Sequence, residues 1–279
     1  MGYRRRGPGA PMDNSMPAEL SALCARWALR ALIELGAVRS IVREEHCTDV
    51  NLLEFLGVDG VAGQSIEGNE VIARVRKQHR QAMAEPIELP AQCALVDNII
   101  WLGDELGLDE VAQSILLFCV LEARCAPLRS AIEAVGELNE SQVSGLLSVL
   151  LDAPLPRVSE ALAPDAGLAG ARLLVMDESS NYVFASKLEM IRGLAERMMM
   201  TVGDRYQLFA GLFTIAPPAS LGVERFAHLG NRVRHLCAYL AQALADGTRG
   251  CNVLVYGPPG TGKTELARTL AHELGATLF

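Results

Sequence analysis

The chain reads as mainly α-helical, with a winged-helix-like module in its middle and the first strand, loop and helix of an α/β core at its C-terminal end. Three observations predict this. Apolar residues recur at three- and four-residue steps from Pro17 to about Arg157. Residues 139–186 then run helix, turn, helix and two short strand-like segments, and residues 250–275 run apolar strand, glycine-rich loop and helix. The composition agrees: 279 residues that are 50% hydrophobic and 5% aromatic form a globular chain long enough for two modest domains.

Residues 1–16 are basic and rich in Gly and Pro with no apolar stretch behind them, which predicts a disordered tail rather than a signal peptide. A helical domain is expected over 17–138. Pro17 opens its first helix, and Leu20, Leu23, Cys24, Trp27, Ala28, Ala31 and Leu35 form the apolar stripe up to Gly36. A Gly-dotted loop spans Asp59 to Glu70, and a basic helix runs from Val71 to Met83. A further helix covers Ala91 to Leu106, with Gly107 as its stop, and Asp109 caps the helix carrying Ile115-Leu116-Leu117.

The next expected domain is 139–215. Asn139 and Gln142 have the spacing of a capping box, opening a helix with Val143, Leu146, Leu147 and Leu150 on one face. A second helix follows over Arg157–Leu162. Ala171–Asp177 reads as a strand, Glu178–Asn181 as a turn and Tyr182–Phe184 as the returning strand. That order is the order of a winged helix, a module that often reads DNA. Residues 139–190, however, carry seven acids against three bases, so a phosphate backbone is repelled and a protein-facing role is expected instead. Helices are expected at Ser186–Thr201 and Asp204–Leu212, and Pro217-Pro218 marks a boundary near 216–221.

Charge and cysteines exclude several classes. A net charge of −8 argues against a general binder of nucleic acid or anionic membrane. The longest apolar run, Ile115–Leu121, is too short to cross a bilayer. Seven cysteines with no C-x-x-C pair read as buried thiols in a reducing compartment, so the chain is expected to be soluble and cytoplasmic, with no membrane partner. The basic strip Arg74–Arg80 reads as a solvated helix face, and the five histidines show no metal-ligand spacing.

The stretch that carries chemistry lies in 222–279. Asn231 to Ala245 is an amphipathic helix with Val233, Leu236, Cys237, Leu240 and Ala241 on one face. The apolar strand Gly250–Tyr256 then runs into Gly257-Pro258-Pro259-Gly260-Thr261-Gly262-Lys263-Thr264, followed by a helix from Glu265 to Leu274 closed by Gly275. In this setting the glycines let the backbone curl so that successive N–H groups point inward at a helix N-terminus, which suits a phosphate. Pro258 and Pro259 have no N–H to donate, so the donors are expected to be the N–H groups of Gly260 through Glu265. Lys263 is the cation for the β/γ-phosphates, and the Thr264 hydroxyl is the Mg²⁺ ligand. Only three lysines occur in the whole chain, which makes a chance match at Lys263 improbable.

Residues 257–264 resemble the Walker A loop of AAA+ ATPases, in which the Pro-Pro-Gly-Thr filling is characteristic. Phe226-Ala227-His228-Leu229-Gly230 resembles the segment with which that core begins, and the resemblance implies that Leu229 and Gly230 border the adenine. It further implies ATP with Mg²⁺ as cofactors, a ring-forming homo-oligomer and a protein partner that ATP hydrolysis remodels, with Lys263 the catalytic lysine. Members of this family carry an acid pair on a strand after the loop. Leu173–Glu178 imitates such a strand but precedes the loop, so Asp177 and Glu178 read as turn residues. The stretch up to Phe279 is therefore expected to bind nucleotide, with hydrolysis belonging to a longer chain from which this one is cut. The alternative reading is a nucleotide-switched regulatory module whose winged helix contacts DNA or protein.

Overall fold

A computed structural model of the chain describes residues 16–43, 46–47, 49–58, 68–177, 182–203, 205–209, 215–248 and 250–279. The fold is mainly helical and divides into two compact units, residues 1–208 and 209–279. The helical stretch and the 139–190 module thus share one unit, and the proline break at 216–221 lies inside the second. All but the last residue of the tail expected over 1–16, most of the 59–70 loop and the turn at 178–181 fall outside the described residues.

The first unit opens with α1 (Ala18–Ile33), α2 (Val38–Ile41), a two-residue hairpin β1 (Val42–Arg43) and β2 (His46–Cys47), and α3 (Val50–Phe55). Then come α4 (Gly68–Ala84), α5 (Ala94–Leu106), α6 (Glu110–Arg124) and α7 (Ala126–Glu133). The signals read from sequence work locally. Gly107 takes the left-handed conformation that ends α5, and the Asp109 carboxylate accepts the Ala112 N–H at 2.8 Å to start α6.

Packing explains why residues 115–121 of α6 are apolar on every side. Ile115, Leu116, Phe118, Val120 and Leu121 are all fully buried, the pattern of a helix enclosed by others. Its axis breaks by 103° into α7 at Cys125, and among the described residues no single helix is long and apolar enough to cross a membrane. Arg26 and Arg30, one turn apart on α1, hold neighbouring helix ends. Arg26 donates to Ala82 O (2.7 Å) and Glu85 O, closing α4. Arg30 donates to Val149 O (2.9 Å) and Leu150 O (3.1 Å) in the last turn of the helix formed by Glu140–Leu151.

Glu122 on α6 is a buried carboxyl. Desolvation pushes it up to about 7 against the pull of Arg129, 3.6 Å away, with Glu133 adding to the rise. The folded state therefore keeps a proton that the unfolded chain releases in the ordinary carboxylate range. Its contribution to stability is full below about pH 4.5 and is lost as pH rises to about 7. Between pH 4 and pH 8 we expect wild type to lose about 3 kcal/mol relative to Glu122→Gln in urea unfolding, a difference that would stay flat if Glu122 titrated normally.

The central module begins with α8 (Glu140–Leu151) and α9 (Leu155–Ala161), followed by α10 (Gly167–Gly170) and β3 (Leu174–Met176). The capping box is present: Asn139 Oδ1 accepts the Gln142 N–H at 2.9 Å, and Gln142 Oε1 accepts the Asn139 N–H at 2.8 Å. The hairpin departs from expectation. Tyr182–Phe184 does not return along β3. Tyr182 bridges Leu138, Phe184 begins a helical turn, α11 (Phe184–Lys187), and β3 pairs instead with β4 (Leu188–Met190). The cause is burial. Phe184 sits edge-on to Phe118 at 5.4 Å, and the buried Lys187 turns its ammonium back to Asp177 O, so the pairing strand starts only after these groups are inside. The expected helix 186–201 is correspondingly reduced to α12 (Leu194–Met198), which Gly193 precedes in the left-handed conformation. Asp177 N–H also bonds Lys187 O at 2.9 Å, which makes Asp177 a turn residue of this hairpin. A 3₁₀ turn at Arg205–Phe209 occupies the middle of the expected 204–212 helix.

The second unit holds a 3₁₀ turn at Val223–Leu229, α13 (Asn231–Ala245) and α14 (Lys263–Glu273). Its core is small: Phe226, Val233, Leu266 and Leu270, with Val223, Leu229, Leu236 and Cys237 packed around them. The strand expected at Gly250–Tyr256 is not formed. No described segment pairs with it, and Leu254 and Tyr256 are 85% and 87% exposed. An isolated extended segment has no ladder to satisfy its backbone, so β-propensity alone does not make a strand.

Candidate functional site

The glycine-rich loop is built as its composition requires. Gly260 and Gly262 have φ of +81° and +82°, a region that any Cβ strains, and they let the chain double back before α14. Thr261 Oγ1 donates to Pro258 O at 2.9 Å, which fastens the loop's start to its end. Gly262 is the N-cap of α14, and Leu266 N–H is bonded to Gly262 O at 2.8 Å. By helix geometry the N–H groups of Gly262, Lys263, Thr264 and Glu265 are left without intrahelical acceptors, at the positive end of the helix dipole.

The Lys263 side chain bends back over the loop rather than out into solvent. Its Nζ donates to Gly257 O at 3.0 Å and Pro258 O at 2.8 Å, so the ammonium stands at the loop's own carbonyls. Thr264 is exposed beside it. The arrangement brings an ammonium, free helix-terminal N–H groups and an exposed hydroxyl into one curl of chain. Those donors fit a phosphate chain, and the hydroxyl fits a divalent cation held against it.

Leu229 and Gly230 end the 3₁₀ turn that packs on α14 through Phe226, Leu266 and Leu270. A Cβ built on Gly262 would meet Phe226 Cε1 at 3.8 Å, so this turn lies directly behind the loop. The sequence-derived residues 229–230 and 257–265 thus fall in one unit, on neighbouring elements.

Glu265 carries a second set of contacts besides its backbone N–H. Its backbone N–H belongs to the helix start, but its carboxylate faces away from the loop. Oε1 accepts from Ser220 Oγ (2.7 Å), Ser220 N–H and Leu221 N–H (3.0 Å), and Arg268 lies 3.3 Å from Oε2. These hydrogen bonds, led by those from Ser220, hold the carboxyl below its ordinary value. Thr269, one turn on and buried, donates to Leu221 O at 2.8 Å. Nothing within the loop motif marks Ser220, Leu221, Phe226 or Thr269, because the partners lie about 45 residues apart.

Residues 253–279 match the model of the ATPase family associated with various cellular activities (AAA). No solved structure matches the chain.

Proposed function

We propose that the loop Gly257–Thr264 is a nucleotide site and that its ligand is ATP with Mg²⁺, a reading that the match of residues 253–279 to the AAA family model supports. The observation that supports this most is the Lys263 ammonium resting on Gly257 O and Pro258 O at the mouth of a helix N-terminus. On binding, the ammonium exchanges those carbonyls for β/γ-phosphate oxygens, a stronger charge-assisted contact. The N–H groups of Gly260, Thr261, Gly262, Lys263, Thr264 and Glu265 then cradle the phosphates, and Thr264 holds the cation. Magnesium, when bound, screens the negative charge of the phosphate chain. Leu229 and Gly230 border the base.

In this reading the chain is the nucleotide-binding portion of a ring-forming ATPase, and residues 17–215 are its helical and winged-helix region for a protein partner. The 139–190 module supports a protein rather than a nucleic acid there. Arg157, the base on α9, is already paired with Asp109 at 2.6 Å, which weakens its pull on a phosphate. Titration of the whole chain with a fluorescent ATP analogue tests the site. Saturable, Mg²⁺-strengthened binding that unlabelled ATP displaces is expected; no saturable binding would sink the assignment. In a mobility-shift assay duplex DNA is expected to leave the chain unshifted even at low salt.

A further inference from the structure

Residues 216–222 form a strap along α14. Ala216 N–H bonds Leu278 O at 2.8 Å beyond the end of that helix. Toward the helix start, Thr269 Oγ1 holds Leu221 O, and the Glu265 carboxylate holds Ser220 by its N–H and hydroxyl and Leu221 by its N–H. The strap then runs without interruption into the 3₁₀ turn Val223–Leu229, whose Phe226 is buried in the small core with Leu266 and Leu270. One carboxylate with several donors, backed by a buried hydroxyl on the next turn, is far more attachment than a surface loop needs.

We propose that Glu265 and Thr269 are positioning residues that tie the base-side segment, Leu229–Gly230, to the phosphate-side helix, so that the two halves of the nucleotide site keep one spacing. The inference rests on the nucleotide reading of the loop. The Glu265 carboxylate touches no phosphate in this scheme; only the residue's backbone N–H faces the loop, and side-chain substitutions leave that N–H in place. The carboxylate acts through Ser220 and Leu221, and therefore on recognition of the nucleoside and not of the phosphate chain. Lys263 and the helix-terminal N–H groups do not depend on the strap, since their geometry is set within 257–266. A nucleoside triphosphate spans both halves, whereas inorganic tripolyphosphate occupies only the loop.

That difference supplies the test. MgATP and magnesium tripolyphosphate are titrated by calorimetry into the full chain and into Glu265→Ala, Glu265→Gln, Thr269→Val and Lys263→Ala. Glu265→Ala and Thr269→Val are expected to weaken ATP about tenfold while tripolyphosphate changes less than about twofold, the loss of hydrogen bonds to a charged group. Glu265→Gln keeps one acceptor oxygen and should recover part of the ATP affinity. Thr269→Val keeps the branched shape and removes only the hydroxyl that holds Leu221 O, which separates a lost tether from a lost fold. Equal weakening of both ligands in Thr269→Val, or no weakening of either in both variants, overturns the proposal. Failure of the underlying reading looks different: wild type would bind neither ligand, or Lys263→Ala would bind tripolyphosphate as well as wild type does.

Discussion

Replacing Lys263 by alanine is expected to lower the affinity for MgATP about a hundredfold, the effect of removing a charge-assisted contact to a phosphate. The protein itself should barely notice. Lys263 is only half-buried, and in the free chain its ammonium bonds just Gly257 O and Pro258 O, so thermal unfolding of the variant should match wild type. That separation between ligand affinity and stability is the informative part, because a merely structural lysine would move both or neither. Lys263→Arg should not rescue binding: a planar fork with fixed donor directions does not reproduce a compact ammonium at the end of a flexible stem. Wild-type affinity in Lys263→Ala would remove this residue from the site.

The second large effect lies in the other unit. Phe118 is fully buried and meets Trp27 of α1 edge-on at 5.2 Å and Phe184 at 5.4 Å, so one ring joins α1, α6 and the hairpin module. Phe118→Ala is expected to cost about 3–5 kcal/mol, since the rigid neighbours cannot close the cavity. Phe118→Leu, which keeps most of the volume, should cost well under half of that. Denaturant unfolding followed by circular dichroism measures both. A loss below about 1 kcal/mol for the alanine variant would show that the three elements do not share a core.

Local signals were legible residue by residue. The capping box at Asn139 and Gln142, the Asp109 cap, the Gly107 stop and the span of α13 all depend on atoms within a few positions of one another, and sequence spacing alone specifies them. The glycine-rich loop belongs to the same class, because Gly260, Gly262 and Lys263 act within one short curl. The hairpin and the strand were not legible. Tyr182–Phe184 has strand composition, yet Phe184 is worth more inside the core against Phe118 than on a sheet, and the register moved to Leu188–Met190. Val253–Tyr256 has the same composition and pairs with nothing among the described residues.

The amino-acid order by itself determined where helices begin and end and how the loop before α14 bends, because those are contests between neighbouring backbone groups and the side chains beside them. Tertiary structure alone decided which segment pairs with β3, what Lys187 and Glu122 do when buried, and that the Glu265 carboxylate turns from the loop to Ser220 and Leu221. Each of those outcomes is a competition for burial or for a hydrogen-bond partner between residues distant in the chain, and only the folded arrangement brings the competitors together.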